Sequence, residues 1–197
     1  MIKSKSDLEY FLKQDQKALG IKYTSYLSRL ILHFKFDYIP IFQYHLRLAE
    51  YYHSKRLGVL GKLQYAFHVY RYRKYGVKCG FSIPINVFGA GLAIVHRGTI
   101  IVNHDAKVGE NCRVHPGLNI GASGGVAGAP EIGDNVYFAP GVKIYGRIKV
   151  VDNVAFAANA AISKDCLEPN SMYGGVPGKR IGSCDISRII KHIRTEA

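Results

Sequence analysis

The chain has 197 residues, 48% of them hydrophobic, and a formal net charge of +13. That length can bury a sizeable core, and no apolar run reaches the roughly 18 residues a membrane-spanning helix needs. The opening Met1-Ile2-Lys3-Ser4-Lys5-Ser6-Asp7 has no apolar stretch of the kind a signal peptide carries, and Cys79, Cys112, Cys166 and Cys184 show no metal-ligand spacing, so the expectation is a reduced, cytoplasmic protein without a metal.

The charge is concentrated at the start. Residues 1–80 hold 15 Lys/Arg against 5 Asp/Glu, and 11 of the 14 tyrosines. Within them Tyr44-His45-Leu46-Arg47-Leu48-Ala49-Glu50-Tyr51-Tyr52 reads as an amphipathic helix. So does Leu57 to Tyr75, where Leu60, Leu63, Gln64, Phe67 and Tyr70-Arg71 fall near helical spacing. Gly20, Pro40, Gly58, Gly61 and Gly76 punctuate the region. Residues 1–80 are expected to form a helical segment that caps the next region and packs against neighbouring subunits. A second reading gives the basic, aromatic face to an anionic membrane or an anionic glycan intermediate. Nucleic acid is not expected, because no recognition motif accompanies the charge.

From residue 81 a six-residue beat takes over. Val102, Val108, Val114 and Ile120, then Ile132, Phe138, Ile144, Val150, Phe156 and Ile162 recur six apart, with a gap of twelve between the two blocks. Four residues after these come small or β-branched residues: Ala106, Cys112 and Leu118, then Val136, Val142, Ile148, Val154, Ala160 and Cys166. Neither an amphipathic helix nor an alternating strand has this period. A solenoid in which each hexad is one short strand plus a turn does. Three hexads close a triangular coil of about 18 residues, and coils stack about 4.8 Å apart. Gly109-Glu110-Asn111, Gly133-Asp134-Asn135 and Val151-Asp152-Asn153 recur where left-handed corners are needed. The predicted layout is a helical segment over 1–80, a solenoid over 81–182 of about five coils, and a C-terminal tail over 183–197.

Residues 83–182 resemble the hexapeptide-repeat acyltransferases. The nearest branch is that of the serine acetyltransferases, carried by Ile94-Val95-His96-Arg97-Gly98-Thr99-Ile100-Ile101-Val102, Ile132-Gly133-Asp134-Asn135-Val136 and Gly174-Gly175-Val176-Pro177-Gly178-Lys179. The resemblance implies a mainly β fold, a left-handed parallel β-helix, assembled as a homotrimer. It implies acetyl transfer from acetyl-CoA to a hydroxyl. Such transfer needs a base for the hydroxyl proton and a donor for the oxyanion.

Of eight histidines, His33, His45, His53 and His68 belong to the helical segment, His192 to a basic tail, and His104 to a corner beside Asn103 and Asp105. His96 interrupts an apolar stretch, falls on the hexad beat counted back from Val102, and lies in the family motif; it is the candidate general base. His115 follows 19 residues later, one coil plus one position, and is a candidate for the acceptor or acetyl site. Backbone N–H groups from Gly121 to Gly125 are candidate oxyanion donors. The resemblance places coenzyme A in a groove between two β-helices, along Ala157, Ala158 and Asn159 and along Gly175 to Arg180, with Lys179 and Arg180 as phosphate ligands.

The chain departs from the serine enzymes. Val95 stands where they carry an acidic residue, Ile83-Pro84-Ile85-Asn86 holds no upstream acid, and Gly128-Ala129-Pro130 replaces an Arg-His-Pro. A zwitterionic serine needs both charges met. The expected acceptor is therefore a neutral sugar or polysaccharide precursor, as in the capsule and exopolysaccharide acetyltransferases that share the pattern of Gly91-Leu92-Ala93-Ile94-Val95-His96. Serine, for cysteine biosynthesis, is the alternative, and a catalytically silent hexapeptide scaffold a further one. Asn86 is then a candidate neutral orienter of His96.

Overall fold

The computed structural model describes residues 1–21, 31, 34, 35, 37–55 and 58–194; His33 and Leu57 lie outside them. Helix α1 (Lys5–Leu19) begins at a capping box, in which the Ser4 hydroxyl accepts from the Asp7 N–H at 3.0 Å and the Asp7 carboxylate from the Ser4 N–H at 2.9 Å. Two N–H groups that the helix leaves unpaired are thereby satisfied. Helices α2 (Tyr38–His53) and α3 (Val59–Cys79) follow.

Helix α2 corrects the amphipathic expectation, because every residue from Tyr38 to Glu50 except Tyr44 is buried. The polar residues go inward with partners. Gln43 Nε2 donates to the Leu92 carbonyl at 2.7 Å. Arg47 lies fully buried between Asp15 of α1 (2.8 Å) and Glu50 (3.0 Å), and also donates to the carbonyls of Phe88 and Gly89 at 2.9 and 2.6 Å. Asp15 accepts from the Leu92 N–H, and Glu50 from the Asn86 N–H. One guanidinium thus ties α1 and α2 to the first turn of the repeat region. Burial works against its charge, but Asp15 and Glu50 more than offset this and raise its pKa.

Helix α3 forms where expected but faces the other way. Tyr75, Gly76 and Cys79 are buried, and Tyr75 lies 5.6 Å from Tyr38 and 6.2 Å from the stacked ring of His45. Leu60, Leu63 and Phe67 are 72%, 63% and 52% exposed. The aromatic stripe won the inner side because α2 offers it rings; the leucine stripe is left outside.

From Phe81 the strands wind round three faces. The first holds β1 (Phe81–Ser82), β3 (Ile100–Val102), β6 (Asn119–Gly121), β9 (Lys143–Tyr145) and β12 (Ala161–Ile162). The second holds β4 (Lys107–Val108), β7 (Glu131–Ile132) and β10 (Lys149–Val150). The third holds β2 (Ala93–Ile94), β5 (Arg113–Val114), β8 (Tyr137–Phe138), β11 (Val154–Phe156) and β13 (Ser171–Gly174), with β14 (Lys179–Ser183) antiparallel at its edge. All other neighbours pair in parallel. Residue 137 sits against 155, 131 against 149 and 143 against 161, a spacing of eighteen. The twelve-residue gap is a loop over 122–130, which stretches one coil to twenty-four, as in Arg113 against Tyr137.

The beat residues fill the interior. Ile132, Phe138, Ile144, Val150, Phe156 and Ile162, and the six residues four positions after them, are all at most 8% exposed. Burial pushes the Cys112 and Cys166 thiols up to about 12. Asn111, Asn135 and Asn153 form left-handed corners between the second and third faces, at φ 56°, 56° and 61°, and their amides form a ladder at 3.1 and 3.0 Å. Gly109 and Gly133 are there for a different reason than positive φ. A Cβ on either would strike the carboxylate of Asp134 or Asp152, which crosses above it. Those carboxylates accept the N–H groups of Glu110 and Asp134 at 2.7 and 2.8 Å.

Candidate active site

The corners that lead from the third face to the first stack into one column. Their backbones are bonded coil to coil, by the N–H of Gly117 to the Thr99 carbonyl at 2.7 Å, Gly141 to Pro116 at 2.9 Å, Asn159 to Pro140 at 2.9 Å, and Ala161 to Gly175 at 3.0 Å. His96 stands at the bottom of this column and His115 one coil above it, their ring centroids 6.1 Å apart. The expected adjacency of the two histidines is thus present. Tyr137 continues the row at 5.3 Å from His115.

His96 does not occupy an inward beat. Ile94 pairs with Val114, twenty residues on, and is 1% exposed. From there to the next equivalent inward residue, Val102, the chain takes two residues more than a hexad, and that widened corner carries His96 and Arg97 out to solvent. The imidazole of His96 has no hydrogen bond among the described residues, so a ligand can reach it. His115 is half-buried, and its Nε2 has no hydrogen-bond partner among them. Burial, with Arg113 and His96 nearby, lowers its pKa and so favours the neutral ring.

The upper corners bring the other candidates to the same column. Ala158 and Asn159 are exposed, Ala157 half-buried, and Asn159 adopts φ 59°. Gly174 packs so near Ala157 that a Cβ would lie 3.1 Å from its methyl, and Gly178 N–H bonds to Ala161 at 2.7 Å. Gly175 is exposed at φ 91°. Lys179 is exposed without an ion pair among the described residues, whereas Arg180 is held by Glu168 at 2.7 Å and donates to the Ser171 hydroxyl at 3.1 Å. Lys143 reaches back to the Gly117 carbonyl in the His115 corner.

Two expectations fall elsewhere. Asn86 sits at the corner between the first and second faces, at φ 63°, with its N–H on Glu50, so its place is explained by the turn and it has no bond to His96. The Gly121–Gly125 stretch also leaves from that corner position, on a different edge of the coil from His96. The other histidines among the described residues have places of their own. His45 and His68 share a hydrogen bond at 2.9 Å, His53 meets Tyr65, His104 lies exposed beside Asp105, and His192 reaches Asn111 at 3.3 Å. No cluster able to hold a metal ion occurs among the described residues.

The sequence missed two features here. The tail packs Ile186 and Ile190 on Ala155 of the third face, beside Tyr137; their spacing of four on one side of a short segment was a usable signal. The buried Arg47 was the other, signalled by a lone cation within an otherwise apolar run.

No family model matches the chain. Among curated proteins it is 35% identical over 101 residues to a serine acetyltransferase of Mycobacterium tuberculosis, covering 50% of this chain and 44% of that protein. It is 33% identical over 92 residues to a serine acetyltransferase of Staphylococcus aureus, covering 46% and 43%. The matched stretch thus spans less than half the length of these relatives. Among solved structures, serine acetyltransferase from Brucella abortus superposes with a TM-score of 0.67 at 22% identity, over 92% of this chain and 72% of that one. The same protein in complex with coenzyme A superposes at 0.66, over 92% and 70%. The chain therefore resembles the hexapeptide-repeat acyltransferases of the serine acetyltransferase-like branch, in sequence over about half of its length and in fold over 92% of it.

Proposed function

We propose that this protein is an acetyl-CoA-dependent O-acetyltransferase with a left-handed coil and His96 as general base. The observation that carries the reading is the column of corners, with an open imidazole at one end and small, backbone-exposing residues at the other. His96 takes the proton of the acceptor hydroxyl as its oxygen attacks the thioester carbonyl. The tetrahedral oxyanion then collapses, the C–S bond breaks, and the thiolate takes the proton back from the imidazolium. His115, whose Nε2 is buried and without a partner among the described residues, stands next to His96 on the acceptor or acetyl side. Ala157, Ala158, Asn159 and Gly175 line the pantetheine arm, and Lys179 holds a phosphate. Arg180 is already engaged by Glu168 and contributes less. Assembly as a homotrimer would set a neighbouring coil beside the column and bring a loop such as 122–130 toward His96 of the next subunit.

Serine is the acceptor the relatives favour, since the matched proteins are named for it. One observation supports a neutral sugar hydroxyl as a second reading. Val95 precedes His96, and no carboxylate contacts that imidazole among the described residues. An ammonium would be desolvated there without a partner. The test is thiol release from acetyl-CoA with serine and with a panel of pyranosides and oligosaccharides. Serine turnover above the whole panel supports the first reading, turnover of a neutral pyranoside above serine the second, and no acceptor-stimulated release overturns both in favour of a silent scaffold.

A further inference from the structure

The outer side of α3 is unpaired and unusual in composition. Val59, Leu60, Leu63, Phe67, Tyr70 and Val77 are 79%, 72%, 63%, 52%, 59% and 83% exposed. Leu60, Leu63, Phe67 and Tyr70 follow one another in steps of three and four, Val59 opens the row and Val77 resumes it seven residues after Tyr70, so the six share one side of a 21-residue helix, about 30 Å long. Lys62, Arg73 and Lys78 border the stripe, Lys74 stands within it between Tyr70 and Val77, the half-buried Arg71 lies to one side, and Val59–Cys79 contains no carboxylate. Several of these cations lie over rings: Lys74 over Tyr70 at 5.6 Å, Arg71 over Phe67 at 5.7 Å, and Lys78 over Tyr38 at 4.6 Å. The exposed lysine stems run along apolar surface with their charges outward, whereas Arg71 turns inward, its guanidinium 5.1 Å from the buried Tyr75 ring and its Nε buried.

We propose that this face of α3 docks on an anionic lipid bilayer, lying in the headgroup plane. Charge and apolarity together select this occupant. A second copy packed α3 against α3 would set the exposed cations of one helix against those of the other, with no acid on either helix to meet them. A nucleic acid would satisfy the cations but leave the leucine and valine side chains against phosphate. A bilayer surface meets both demands, with lipid phosphate for the cations and the acyl boundary for the stripe. No described helix is long and apolar enough to cross a membrane, so α3 would lie on it. The inference is independent of the acetyl-transfer reading.

The test is co-sedimentation of the full chain with phosphatidylcholine vesicles, with and without phosphatidylglycerol. Binding is expected only with the anionic lipid, and should disappear at 1 M salt, where the screening length is about 3 Å. Replacing Lys62, Arg73 and Lys74 by Gln should weaken partition about 100-fold, and replacing Leu60, Leu63 and Phe67 by Ser by about as much or more. Both sets are exposed, so the folded-state circular dichroism should match wild type. The chain has no tryptophan, so Leu63→Trp supplies a direct probe whose emission should shift to the blue on anionic vesicles. Equal binding to neutral vesicles, no partition at all, an unshifted Leu63→Trp spectrum, or self-association that the serine variant abolishes would each overturn the proposal.

Discussion

The coil and helix α3 place the same kind of residue in opposite environments. Leu118 lies on the second beat position and is 1% exposed, while Leu63 lies on a regular helical stripe and is 63% exposed. In the coil, three faces close on themselves, so every inward position is buried wherever the period holds. A helix has two sides it can bury, and which one wins depends on the neighbour. Periodicity therefore dictates burial in the first case and only offers it in the second.

The sharpest way to break that comparison is one substitution made twice. Leu118→Ala should cost about 2–5 kcal/mol, as for large-to-small changes in a packed core. Leu63→Ala should stay within about 0.5 kcal/mol. Urea unfolding of both variants measures the difference, and comparable losses would mean that α3 is covered in solution.

Where the two regions join, Arg47→Ala should be similarly severe, at about 3–5 kcal/mol, because it strands Asp15 and Glu50 without their cation. Arg47→Met paired with Asp15→Asn and Glu50→Gln should recover much of that loss. If the single variant unfolds like wild type in chemical denaturation, the helices are not tied to the coil through this group.

A smaller effect is expected at the corners. Gly133→Ala forces a methyl onto the Asp152 carboxylate that caps Asp134, and should cost about 1–3 kcal/mol. Gly58→Ala, with open space around its Cα, supplies the control from the helical region. Differential scanning calorimetry should show a lowered Tm for the first and little change for the second.

The mildest test uses pH. Burial, with Arg71 nearby, lowers the His68 pKa from 6.5 to about 4. The folded state thus binds the proton less well than the unfolded chain. The stability due to neutral His68 is complete above pH 6.5 and declines as pH falls toward 4. His68→Gln should flatten that part of the profile. An unchanged slope would show that His68 protonates freely in the folded protein.

The coil was legible because a six-residue period has a single geometric cause. The sequence also placed His96 and His115 on adjacent coils, since their separation is close to one turn. It counted His96 onto the hexad beat, because the two-residue widening that carries this corner out to solvent leaves no mark on the beats either side. Asn86 was misread for a related reason: an asparagine at a left-handed corner needs no partner to explain it, and its φ was not visible. The Asp15–Arg47–Glu50 group was missed because its members meet only after α1 and α2 have docked. Likewise the orientation of α3 depended on the rings of Tyr38, Phe42 and His45, which lie in another helix.

The most direct test of the account is acetyl transfer by His96→Ala. With the best acceptor of the panel, thiol release from acetyl-CoA should fall about 100-fold or more in kcat, the usual range for loss of a general base, while the unfolding midpoint stays at the wild-type value because the side chain is exposed. Near-wild-type turnover in that folded variant would contradict the account and remove the open corner of the coil from the chemistry.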